Sequence, residues 1–91
     1  MITAIVLIHA DNGRIPETAQ ALADVDRVDQ VYSCAGDVDL IAIVKVRNHA
    51  EIAEVVTGRI DKTPGVERTL THIAFKSYSQ ADTEAGFSLG E

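Results

Sequence analysis

The sequence predicts one α+β domain of the ferredoxin-like, split-βαβ type, ordered β-α-β-β-α-β, with a four-stranded antiparallel sheet and two helices on one face. Three observations lead there. Residues 2–10 (ITAIVLIHA) and 38–47 (VDLIAIVKVR) read as strands that are apolar on both faces, because successive strand side chains point to opposite sides. Two stretches of helical periodicity separate the strands, one opened by Pro16 and one by Asn48. Two helices cover only one sheet face, and a bare apolar face marks an association surface. The expected closure is a homodimer through the sheet, a dimeric α/β-barrel-like assembly.

In the first strand, residues 2–10, Val6 and Ile8 face one way while Ile5 and Leu7 face the other. Asp11, Asn12 and Gly13 then form a strong turn signal. Pro16 suits a first helical turn, where its missing N–H costs nothing, and Glu17 follows at the positive end of the helix. Ala19, Leu22, Ala23 and Val25 mark the buried stripe of a short helix over 16–25, closed by Asp24 and Asp26.

The second strand, residues 28–35, is more polar than the first. Residues 36–39 return the chain, and a two-residue loop containing glycine fits a tight hairpin into the third strand, 38–47. Asn48 is a helix cap, with Glu51 three residues on in capping-box spacing. Ile52, Val55, Val56 and Ile60 carry the second helix to residue 60. A turn over 61–65, containing Pro64 and Gly65, leads to a last strand over 66–77. Beyond Tyr78 the periodicity is lost. Residues 1–78 form one domain, and 79–91 a tail. Phe87 and Leu89 are candidate anchors for that tail, and fraying accounts for it equally well.

Composition excludes several function classes. Ninety-one residues make one domain, and with two Phe, two Tyr and no Trp its core is aliphatic. The formal charge of −6, with eight scattered basic residues, argues against direct nucleic-acid binding. The N-terminal apolar run lacks a basic leader and is too short to span a bilayer, so no membrane association is expected. Cys34 is the single cysteine, which excludes an intramolecular disulfide and fits a cytoplasmic location. His9, His49 and His72 lack metal-ligand spacing, and no nucleophile–base pair or phosphate loop appears. No metal, no cofactor and no catalytic activity are expected.

Two separated segments carry a resemblance. Residues 31–47 (VYSCAGDVDLIAIVKVR) and 60–78 (IDKTPGVERTLTHIAFKSY) resemble the hairpin and the last turn and strand of the leucine-responsive regulator/asparagine-regulator (Lrp/AsnC) family. The similarity covers residues 2–78 and concerns that family's effector-binding domain, called the regulation of amino-acid metabolism domain. It implies a small amino-acid effector as ligand, and a homodimer that assembles into octameric or decameric rings with clefts between dimers. Family members usually carry a helix-turn-helix before this domain. Met1 here enters the first strand directly, so the expectation is a domain without its own DNA reader, acting alone or joining full-length relatives.

Gly36, Asp37, Val38 and Asp39 match the family's glycine–acid–x–acid hairpin, which the resemblance places at the effector cleft. The chemistry is reasonable: glycine lets backbone approach a ligand, N–H groups receive a carboxylate, and an acid pairs with an ammonium. A plain hairpin turn also accounts for Gly36 and Asp37. Thr69 and Thr71 share one face of the last strand, and the resemblance implies that polar residues there approach the effector across the dimer–dimer contact. Each is also an ordinary β-branched strand residue. His72 points to the opposite face, as a packed or interface histidine. Lys45 and Arg47 read as rim charges, with Glu67 a candidate partner for one of them. The competing functions are a small dimeric α/β-barrel enzyme of monooxygenase or isomerase type, and a purely structural oligomerisation protein.

Overall fold

A computed structural model describes residues 1–80. It contains β1 (Ile2–Ala10), α1 (Ile15–Ala23), β2 (Val28–Ser33), β3 (Leu40–Val46), α2 (His49–Val55) and β4 (Val66–Ile73), so the order β-α-β-β-α-β holds. The sheet order is β2-β3-β1-β4, with every neighbouring pair antiparallel. β2 and β4 are the outer strands, held apart by β3 and β1. The sheet is therefore open, and the expected barrel-like closure does not hold, because a barrel requires its outer strands to meet. Among the described residues no helix is long and apolar enough to cross a membrane.

The alternation read in the first strand is realised. Ala4, Val6, Ile8 and Ala10 are buried under the helices, as are Leu40, Ala42, Val44 and Val46 of β3. The two sets meet in register, Val6 opposite Ala42 and Ile8 opposite Leu40. Leu22 from α1 and Ile52, Val55, Val56 and Ile60 from the second helical segment complete this aliphatic core.

Helix boundaries show what competed with simple periodicity. Asp11 Oδ1 accepts from the Gly13 N–H and opens a short 3-10 turn (Asn12–Arg14) that runs into α1, with Pro16 in its first turn. The buried face of α1 is Thr18 and Leu22, continued by Val25, whereas Ala23 is exposed. Thr18 is buried because its hydroxyl reaches the Pro64 carbonyl at 3.3 Å, a contact with the far end of the chain. Gly65 lies directly against it. Its φ of 96° is one that glycine tolerates, and any Cβ there would overlap the Thr18 side chain.

Asn48 caps α2 as expected, its Oδ1 accepting from the Glu51 N–H at 3.1 Å. The reciprocal half of the capping box is displaced by one residue: Glu51 Oε1 accepts from the Arg47 N–H at 2.6 Å, not from that of Asn48. The other oxygen of Glu51 pairs with Arg27, so α2 is clamped to the α1–β2 connection. The second helix ends in a π-helical turn (Val56–Ile60), closed by Asp61 N–H to the Val56 carbonyl.

β2 and β4 are shorter than expected. β2 ends at Ser33 and β3 begins at Leu40, so the hairpin loop is wider than a two-residue turn. β4 ends at Ile73, opposite Ala4, and the Ala74 N–H just beyond it donates to the Thr3 carbonyl at 2.9 Å. Of the tail, residues 81–91 lie outside the described residues, and with them Phe87 and Leu89.

Candidate functional site

The loop between β2 and β3 is shaped by two constraints. The Cys34 N–H donates to the Asp39 carbonyl at 2.9 Å and closes it. Gly36 then adopts φ 130°, a conformation that favours glycine, and no atom lies within 4 Å of where its Cβ would be. The backbone at Gly36 is thus open to approach. Asp37 beside it is exposed, and no described residue hydrogen-bonds or ion-pairs with its carboxylate.

Asp39 is placed differently. Its backbone N–H donates to the Ile8 carbonyl at 3.0 Å, and its Oδ2 accepts from the Ala10 N–H at 2.8 Å. One residue therefore continues the β1–β3 ladder and caps the end of β1, holding the hairpin to the sheet. Val38, next to it, is half-buried. The two acids of the motif separate into one tied to the scaffold and one that faces outward.

Thr69 and Thr71 stand on β4 opposite Ile8 and Val6, so both point to the helix side of the sheet. The Thr69 hydroxyl donates to Asp61 Oδ1 at 2.6 Å, which fixes it to the turn after α2. Leu40, Ile8 and Thr69 lie in one cross-strand row. Two strand spacings, about 10 Å, therefore separate the start of β3 from Thr69. One copy of the chain presents Gly36, Asp37, Val38 and Asp39 in one loop but does not bring Thr69 and Thr71 to them. Three surface hollows, beside Arg27 and Lys45, beside Glu54 and Arg59, and beside Thr3 and Phe75, are lined by none of the six.

The helix-free face runs across all four strands. Tyr32, Ile41, Leu7 and Leu70 form one row, and Gln30, Ile43, Ile5 and His72 the next. Leu70 is 59% exposed and Tyr32 51%, which are high values for large residues in the middle of strands. His9 and Arg68 occupy the row nearest the β2–β3 loop, with Arg68 Nη2 at 3.4 Å from His9 Nε2. Lys45 lies at the other end, 3.9 Å from Asp29. Glu67 is not its partner, since it sits by the far end of β1, between the residues facing His9 and Ala10. Among the described residues no group of three or more His, Cys, Asp or Glu side chains is arranged to hold a metal ion.

Sequence reasoning missed the interactions that join distant segments. The Arg27–Glu51 pair, the Thr18–Pro64 contact and the His9–Arg68 contact each link different elements. Arg27, at φ 76°, is the one non-glycine with positive φ among the described residues. No local signal marks these contacts.

Comparison with known proteins gives a consistent result. The profile of the Lrp/AsnC ligand binding domain family matches residues 3–83. The crystal structure of TTHA0845 from Thermus thermophilus is similar at 41% identity and a TM-score of 0.81, covering 88% of this chain and 100% of that one. An uncharacterized HTH-type transcriptional regulator of Pyrococcus horikoshii is 36% identical over 75 residues, 82% of this chain and 50% of that protein. The transcriptional regulator NMB0573 of Neisseria meningitidis, solved as a complex with L-Met, shares the fold at 12% identity and a TM-score of 0.77, covering 87% of this chain and 53% of that one. The chain spans about half the length of the curated relatives it matches.

Proposed function

The chain belongs to the Lrp/AsnC ligand binding domain family, and from that premise we propose that it binds a small amino acid at the 36–39 loop, in a cleft formed between copies of itself. Family membership makes it a ligand-binding and oligomerisation domain of transcription regulators, not an enzyme. In the proposed site the exposed Asp37 carboxylate receives the α-ammonium, a charge-assisted contact. Backbone N–H groups around Gly36 receive the α-carboxylate. Val38 and Asp39 shape the rim, and Thr69 and Thr71 reach the ligand from another copy. Thr69 then acts as an acceptor, since its hydroxyl hydrogen is directed to Asp61.

The observation that carries this reading is the division of labour between the two acids: Asp39 is anchored, while Asp37 beside the open backbone of Gly36 is not. The fold neighbour crystallised with L-Met supplies one instance of an amino acid as ligand on this architecture. Two copies meet through the helix-free sheet face, in a homodimer that builds octamers or decamers. Full-length regulators of the family are the proposed heterologous partners.

Calorimetric titration of the purified chain with each of the twenty amino acids tests the reading. Binding of one or a few is expected, and Asp37→Asn is expected to weaken it by about 10- to 100-fold, the loss of one hydrogen bond to a charged group. Binding by none of the twenty leaves a purely structural oligomerisation role. Size exclusion with light scattering of a mixture with a full-length relative tests the heterologous partner, and separate peaks remove it.

A further inference from the structure

The chain has three histidines, and their placement is uneven. His49 is on α2, whereas His9 and His72 both point from the helix-free face of the sheet. We infer that this face is a proton-sensitive interface, and that protonation of His72 and His9 separates the copies that meet on it. The inference rests on the proposed reading of the face as the contact between two copies.

The surroundings of His72 are apolar. It stands opposite Ile5, with Leu70 and Ala74 two residues away on its own segment and with Leu7 and Thr3 diagonal to it on β1. No carboxylate lies in this row, whose other members are Ile43 and Gln30. His72 is exposed in the single chain. Covering the face removes water from a site that offers an imidazolium no anion, which penalises the charged form.

His9 is constrained by a different neighbour. A guanidinium donates only, so the 3.4 Å contact with Arg68 makes His9 Nε2 the acceptor and leaves the ring hydrogen on Nδ1. A second proton would have to go to Nε2, which would abolish that contact and set two cations side by side. The remaining charged or titratable groups on or beside this face are Tyr32 and Asp29 of β2, Lys45 of β3 with Arg47 just beyond it, Arg68 of β4, the Met1 amine and Lys76 of the segment after β4, and Asp39, which continues the β1–β3 register across from His9 with its Oδ2 engaged by the Ala10 N–H. Cations dominate, and Asp29 is beside Lys45 at the far end. A two-fold contact presents the same patch from both sides. Each proton bound therefore adds to repulsion that permanent charges already supply.

The sign follows from linkage. A histidine that must be neutral in the dimer binds protons more weakly there than in the free chain. The dimer is thus favoured above the imidazole range and lost as pH falls through it. With two such histidines per copy, log Kd rises by up to about four per pH unit, and by up to about two if His72 alone is linked.

Sedimentation equilibrium of the 91-residue chain at about pH 8 and about pH 5.5, at constant ionic strength, tests this for the wild type, His72→Gln, His9→Gln and His49→Gln. The wild-type Kd is expected to rise by about tenfold or more at the lower pH. His72→Gln and His9→Gln should each flatten that dependence, and His49→Gln should keep it. A wild-type Kd unchanged within about twofold, or a His9→Gln/His72→Gln double variant with the full dependence, overturns the inference. Loss of circular dichroism at the lower pH assigns the dissociation to unfolding and overturns it as well. Absence of any dimer at the higher pH overturns instead the reading of the face as a contact, and the inference with it.

Discussion

Replacing Leu70 by threonine tests the dimer contact at its most exposed apolar strand position. Leu70 is 59% exposed and stands in the row of Tyr32, Ile41 and Leu7. Threonine introduces a β-branched residue that strands favour, so the folded single chain should lose no more than about 0.5 kcal/mol. Complete burial of a leucine side chain is worth about 1.5–3 kcal/mol. Scaled by the exposed fraction, Leu70 has about 0.9–1.8 kcal/mol still to gain on being covered. A two-fold contact contains the residue twice, so the dimer should lose about 1.8–3.5 kcal/mol. At 1.4 kcal/mol per decade, this raises Kd by about 20- to 300-fold. Sedimentation equilibrium over a concentration series reads Kd, and urea unfolding of the diluted protein checks the single chain. A Kd changed less than about threefold, with the fold intact, would refute the assignment of this face to the contact between copies.

Three further predictions concern how the scaffold holds the site. Gly65→Ala combines an unfavourable positive φ, about 1–2 kcal/mol, with overlap against the buried Thr18, about 1–3 kcal/mol. The sum of about 2–5 kcal/mol should appear as a lower urea midpoint, and pairing it with Thr18→Ala should remove only the overlap part. Glu51→Ala removes the acceptor for the Arg47 N–H and the partner of Arg27, and should cost about 1–2 kcal/mol once the partial exposure of Arg27 is allowed for. A loss under about 0.5 kcal/mol in the same unfolding assay would show that this clamp does not hold α2. Asp39→Ala leaves the Ala10 N–H without its acceptor and should cost about 1 kcal/mol, while Asp39→Asn, which retains an acceptor oxygen, should cost less. Hydrogen exchange at the Ala10 amide reads this directly, and protection unchanged in Asp39→Ala would refute it.

Most of the fold is legible in the chain because each element carries its own period. The first strand is bounded by the sequence to the residue, since its alternation starts at Ile2 and the Asp11 turn ends it. The cap at Asn48 and the stripe of Ile52, Val55, Val56 and Ile60 are equally local signals. Boundaries fail where a partner decides them. β4 leaves the ladder at Ile73, opposite Ala4, although its own sequence continues as a strand would. Ala23 fits the helical stripe but is exposed, and Thr18 breaks the stripe but is buried, because the turn at Pro64 and Gly65 packs on that side of α1.

The candidate site divides in the same way. The 36–39 loop is visible as a motif, with its glycine at the position that needs one. The unequal roles of Asp37 and Asp39 are not visible, since the partner of Asp39 is an amide 29 residues earlier in the chain. Nor does Thr69 reveal in the sequence that its hydroxyl is directed to Asp61.

By itself, the sequence determined the order of elements, the aliphatic core and the existence of an apolar sheet face with no helix to cover it. Those properties follow from side-chain alternation and periodicity, which are local. Only the tertiary structure decided that the sheet stays open between β2 and β4, that His9 meets Arg68 and His72 meets Ile5 on the uncovered face, and that Asp39 is tied down while Asp37 is not. Those outcomes depend on strand order and register, which bring together residues far apart in the chain.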